Sequence, residues 1–81
     1  MAKSLHTPAY NRFRNLLVTA RERANLTQSE VALRLNKPQS FIAKYERGER
    51  RLDVVELIEV CKALEIDPHM VLTELNDSKI P

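Results

Sequence analysis

Residues 27–48 read Thr-Gln-Ser-Glu-Val-Ala-Leu-Arg-Leu-Asn-Lys-Pro-Gln-Ser-Phe-Ile-Ala-Lys-Tyr-Glu-Arg-Gly, and their reading decides the fold. Thr27-x-x-Glu30 is a capping box: the hydroxyl accepts from the third helical amide while the carboxylate reaches back to the amide of the cap. Apolar Val31, Ala32 and Leu35 follow, so the spacing predicts a short helix over about residues 28–35. Asn36 suits a left-handed turn. Pro38 opens a second helical pattern, about residues 38–47, in which Ile42 and Tyr45 lie three apart, and Gly48 closes it. Ala32 is small where a bulky side chain would push the two helices apart. With Ile42 and Tyr45 turned inward, the opposite face of the second helix displays Gln39, Ser40, Lys44 and Arg47. Glutamine can pair bidentately with adenine, lysine can donate to guanine acceptors, and serine can serve a base edge or a phosphate. Such a face matches a major groove.

The flanks extend the helical pattern. Thr7-Pro8 is a start signal, because proline at the first helical position loses no hydrogen bond. Tyr10, Phe13, Leu17, Ala20 and Ala24, with Leu16 beside them, form one stripe, and Asn25 is the expected stop. Asp53-x-x-Glu56 repeats the capping-box logic, and Val54, Leu57, Ile58, Cys61 and Leu64 supply a fourth stripe. Ile66-Asp67-Pro68 starts a fifth helix carrying Met70, Val71, Leu72 and Leu75, with Ile66 placed as a staple against Val71. The core is expected over about residues 8–75, and residues 76–81 read as a frayed polar tail. The expected architecture is all-α, with five short helices in a single domain spanning residues 1–81.

Composition narrows the function. A chain of 81 residues with 43% apolar and 30% charged residues reads as a globular domain. No apolar run is long enough for a membrane span or a secretory signal, which predicts a cytoplasmic protein. The one cysteine, Cys61, allows no internal disulfide and sits on an apolar stripe as a small buried hydrophobe. One glycine excludes Gly-rich phosphate loops. His6 and His69 have no ligand-spaced partner, so no metal or other cofactor is expected. No nucleophile, base and orienting group can be assembled, which argues against an enzyme. The net charge of +2 conceals a polarity. Residues 1–51 hold eleven Lys/Arg against four acids, and residues 52–81 hold two against seven. One end suits a polyanion that the other would repel.

The stretch from Leu26 to Pro68 resembles the lambda-repressor/Cro type of helix-turn-helix transcriptional regulator, and the likeness extends over roughly Phe13 to Leu75. It is carried by Gln28 opening the second helix, Ala32, the turn residue Asn36, branched Ile42, and Glu46-Arg47-Gly48 after the third helix. The resemblance implies a compact five-helix DNA-binding domain with its helix-turn-helix at helices 2 and 3. It implies base-edge contacts from Gln39, Ser40 and Lys44, to which Phe41 is added as a candidate for a thymine methyl. Phosphate contacts are implied for Gln28, Arg47, Arg50 and Arg51, and expected for Lys37. An ion pair between Arg21 and Glu46 is implied behind the DNA face. Charge and family together imply a homodimer, joined through helix 5 and the acidic C-terminal third, on a palindromic operator; no small-molecule ligand is expected.

Asn36 stands where the family prefers glycine, Lys37 where an apolar residue is common, and Pro38 where Ser or Thr caps the third helix. Glu65 also stands where glycine is common, leaving the exit from the fourth helix open. Two rivals remain at this level. One is a protein-interaction module that turns its basic face to an acidic partner. The other is an antitoxin-type DNA-binding protein with a toxin partner.

Overall fold

The computed structural model describes residues 7–77 and contains five α-helices. These are α1 (Pro8–Arg23), α2 (Gln28–Leu35), α3 (Gln39–Glu46), α4 (Val54–Leu64) and α5 (Pro68–Asn76). Residues 78–81 of the expected tail, and His6, lie outside the described residues. Asn76 is the last residue of α5, and Asp77 is its C-cap.

Four helices start on a side-chain cap. The Thr7 hydroxyl accepts from the Tyr10 amide, and Asp67 accepts from the His69 amide. Thr27–Glu30 and Asp53–Glu56 close full capping boxes. The exception is α3, whose N-cap is Pro38, with no side-chain bond to offer. Pro38 thus stands at the cap position that the family likeness implies, with an extended ψ of 152°, and the helix runs from Gln39 to Glu46 rather than over residues 38–47.

Three of the connections turn through left-handed residues other than glycine: Asn25 (φ 58°), Asn36 (φ 56°) and Glu65 (φ 60°). Each brings the following amide back to the carbonyl five residues earlier: Leu26 to Arg21 at 3.2 Å, Lys37 to Ala32 at 3.0 Å, and Ile66 to Cys61 at 3.0 Å. This closure satisfies carbonyls that a helix end would otherwise strand. Asparagine visits this region at small cost, whereas glutamate gains nothing locally that would offset it. Gly48 (φ 79°) makes the turn after α3, and a Cβ there would stand 3.0 Å from the Arg14 Nε.

Around one core gather Phe13 and Leu17 from α1, Val31 and Ala32 from α2, and Ile42 and Tyr45 from α3. From α4 and α5 come Leu57, Val60, Cys61, Ala63, Leu64 and Val71. The expected stripes of α4 and α5 need correction. Val54 is 66% exposed, Ile58 41%, Met70 44% and Leu72 48%, while Val60, absent from the expected stripe, is buried. The inward arc of α4 is centred on Leu57, Val60, Cys61 and Leu64, so its first turn carries apolar side chains outside the core. Ala24 of the α1 stripe is likewise exposed.

Candidate nucleic-acid interface

Packing against α2 and α1 fixes how α3 is turned. Ile42, Ala43, Tyr45 and Glu46 are buried, which leaves Gln39, Ser40 and Lys44 exposed on the remaining arc. The structure therefore brings these three expected base-reading side chains to one open face. Phe41 is half-buried: it packs against the core and meets the Tyr45 ring edge-on, with centroids 5.7 Å apart.

Beneath that face runs a chain of polar contacts linking three helices. Arg21 of α1 donates from Nε to Glu46 Oε2 at 2.7 Å and from Nη2 to Oε1 at 3.1 Å. Glu46 is only 7% exposed, the sole buried charged side chain among the described residues. Its Oε1 also accepts from Gln28 Nε2 at 2.8 Å, and Gln28 Oε1 in turn accepts from Gln39 Nε2 at 2.6 Å. The bond to Glu46 holds the Arg21 guanidinium above its ordinary pKa, although partial burial acts against this. Arg21 further donates to the Leu26 carbonyl at 2.9 Å, securing the turn before α2. Thus the side-chain amide of Gln28, expected at a phosphate, is engaged at both ends and fixes one amide proton of Gln39.

The basic side chains divide into distinct environments. Lys37 is exposed, and its Nζ lies 5.3 Å from the centre of the Phe41 ring. Arg47 is exposed and pairs with Glu49 through two bonds, at 2.9 and 3.1 Å. That pair lowers the Glu49 pKa, first through the hydrogen bond. The Arg51 guanidinium lies over the Tyr10 ring at 4.4 Å, and the Tyr10 hydroxyl accepts from the Leu52 amide at 3.1 Å. Arg50, also expected at a phosphate, turns instead toward α4 and makes a two-bond ion pair with Glu56. Arg14 of α1, which the sequence reading did not single out, donates to the Glu46 carbonyl at 2.6 Å. The contacts of Gln28 with Gln39, Arg50 with Glu56 and Arg14 with Glu46 are absent from any local pattern. They join residues 6 to 32 apart, and only the packing of the helices sets them.

Among the described residues no three His, Cys, Asp or Glu side chains converge as a metal site. Nor is any helix among them long and apolar enough to cross a membrane.

Two short helices joined by a left-handed turn, the second presenting a polar arc with cations at its edges, define a helix-turn-helix protein. A helix-turn-helix family model matches residues 17–70. Among solved structures, an XRE-family like protein from Pseudomonas syringae pv. tomato str. DC3000 is 43% identical, with a TM-score of 0.85 over 91% of this chain and 90% of that one. A point mutant of the restriction-modification controller protein C.Esp1396I is 23% identical, with a TM-score of 0.78 over 86% of this chain and 89% of its own. The controller protein C.AhdI from Aeromonas hydrophila is 27% identical, with a TM-score of 0.69 over 74% and 91% of the respective chains. No curated protein matches. The chain belongs to the helix-turn-helix family of the XRE, or lambda-repressor-like, type, a family of DNA-binding transcription regulators.

Proposed function

We propose that this protein reads a specific double-stranded DNA sequence through α3 and regulates transcription as a homodimer on a palindromic site. The observation that carries the reading is the pinned glutamine pair. One amide proton of the exposed Gln39 is held by Gln28, which leaves its carbonyl oxygen and second amide proton available for a base edge. This is the donor–acceptor couple that adenine N6 and N7 require. Lys44 and Ser40 share its exposed arc and supply a guanine-seeking ammonium and a hydroxyl. Phe41 reaches the rim of this arc and is assigned a thymine methyl. The amino end of α2 at Gln28, together with Lys37, Arg47 and Arg51, is assigned to phosphates. Arg47 must exchange Glu49 for phosphate, an inexpensive exchange for an exposed pair. Arg50 is left out of this set because the half-buried Glu56 carboxylate, the Arg51 carbonyl and the Phe41 ring hold it together.

One recognition helix spans too few base pairs for useful selectivity, and two copies would enter grooves about 34 Å apart. The exposed apolar side chains of α4 (Val54, Val55, Ile58) and α5 (Met70, Leu72) lie in the acidic third and favour self-association there, away from DNA. C.AhdI, named a controller protein, supports a regulator of comparable design. Selection from a randomised duplex pool, with stoichiometry measured on the winning site, tests the reading. A palindromic site bound by two copies is expected. Recovery of no preferred sequence would favour an acidic protein partner, and co-purification with a second small protein would favour the antitoxin reading. On the selected site, Lys44→Ala is expected to cost about 1–3 kcal/mol while leaving random duplex nearly unaffected. Equal loss on both sequences would remove Lys44 from base reading.

A further inference from the structure

Arg50 is tied down more thoroughly than a cation awaiting a phosphate. Its Nη1 and Nη2 donate to the two carboxylate oxygens of Glu56 at 3.0 and 2.7 Å, and Nη1 also donates to the Arg51 carbonyl at 2.8 Å. The guanidinium lies 4.8 Å from the centre of the Phe41 ring, at the edge of the recognition arc. Glu56 is itself fixed: its side chain is 17% exposed, and Oε1 accepts from the Asp53 amide at 2.9 Å as part of the α4 capping box. Each interaction holds the other in place. The hydrogen bond from Arg50 keeps the Glu56 carboxyl below the usual range, with the Asp53 amide adding to it.

Phosphate affinity counts cations that release counterions, so a guanidinium matched by a bidentate carboxylate contributes little unless that pair opens. Opening it would leave the Glu56 carboxylate facing the incoming backbone. Resting on the DNA-binding reading above, we infer that Glu56 is a specificity-determining positioning residue: it holds Arg50 over the Phe41 ring and so withholds that cation from sequence-blind contact with the DNA backbone. Because phosphate charge supplies nearly all non-specific affinity, withholding one cation raises the ratio of specific to random binding.

Glu56→Gln isolates the effect, because glutamine still completes a capping box while losing the charge. The experiment measures binding of the full chain to random duplex and to the selected site across a salt series. The variants are Glu56→Gln, Arg50→Gln and the double substitution, with folding of each checked by circular dichroism. Glu56→Gln is expected to steepen log K against log salt on random duplex by about 0.9, which raises affinity there by up to roughly eight-fold at 0.1 M salt. The gain on the selected site is expected to be smaller, so discrimination falls. Arg50→Gln and the double variant are both expected to keep the wild-type slope on random duplex. A flatter slope for Arg50→Gln would mean that Arg50 already engages phosphate, and would overturn the inference. So would an unchanged slope for Glu56→Gln. Failure of the wild type to bind any duplex at low salt would instead refute the DNA-binding reading itself.

Discussion

Glu46→Ala tests the polar chain beneath the recognition face most directly. The substitution removes a carboxylate that accepts two bonds from Arg21 and one from Gln28. It leaves the backbone carbonyl, and hence the Arg14 contact, in place. Removing one member of a buried ion pair typically costs about 3–5 kcal/mol, because the remaining charge stays buried without its partner. Here the cost is reduced: the Arg21 side chain is 15% exposed and keeps its bond to the Leu26 carbonyl. About 2–4 kcal/mol therefore remains. A domain of this size commands about 4–12 kcal/mol in total, so the variant should melt some 10–25 °C lower yet still fold in the cold. Urea unfolding followed by circular dichroism, on the single variants and on Arg21→Ala/Glu46→Ala, measures the loss and its coupling. A coupling energy above about 1.5 kcal/mol is expected for residues in one network. A loss under about 0.5 kcal/mol, or simple additivity, would refute the assignment. Gln28 would also lose its anchor, so discrimination by Gln39 should fall by more than the same loss of stability elsewhere would produce.

Glu65→Gly should gain about 0.5–1 kcal/mol in the same unfolding assay, since glycine removes the left-handed penalty but loses more chain entropy on folding. Arg34 would lose an exposed partner at 3.2 Å yet keep the Ala63 carbonyl at 2.7 Å, and a net loss of stability would show that Glu65 contributes more than geometry suggests. Burial pushes the Cys61 thiol up from 9.0 to about 11, so the folded state keeps a proton that the unfolded chain releases first. The associated stability is complete below pH 9 and declines as pH rises toward about 11. Wild type should therefore lose stability faster than Cys61→Ala across that interval, and parallel pH profiles would contradict the burial argument.

Helix starts were legible because they are local. A cap and its partner lie three residues apart, as at Thr27 and Glu30 or Asp53 and Glu56, and no packing is needed to pair them. The outward arc of α3 was legible by elimination, once Ile42 and Tyr45 were assigned to the core. Periodicity misassigned Val54, Ile58, Met70 and Leu72 for a definite reason. It reports that a helix has an apolar side, but not whether that side meets this core or remains outside it. The division of labour among the arginines was equally hidden. Arg47, Arg50 and Arg51 are near neighbours in sequence, yet they are directed to Glu49, to Glu56 with Phe41, and to Tyr10 respectively.

The Arg14 contact carries a consequence for the electric field of α3. A helix of eight residues has a partial positive pole at its amino end and a partial negative pole at its carboxyl end, each near half a charge. Arg14 sets a full positive charge 2.6 Å from the Glu46 carbonyl and thereby quenches the negative pole from behind. With that pole offset, and with Lys44 and the C-cap Arg47 exposed beside it, the carboxyl end of α3 does not repel an approaching polyanion.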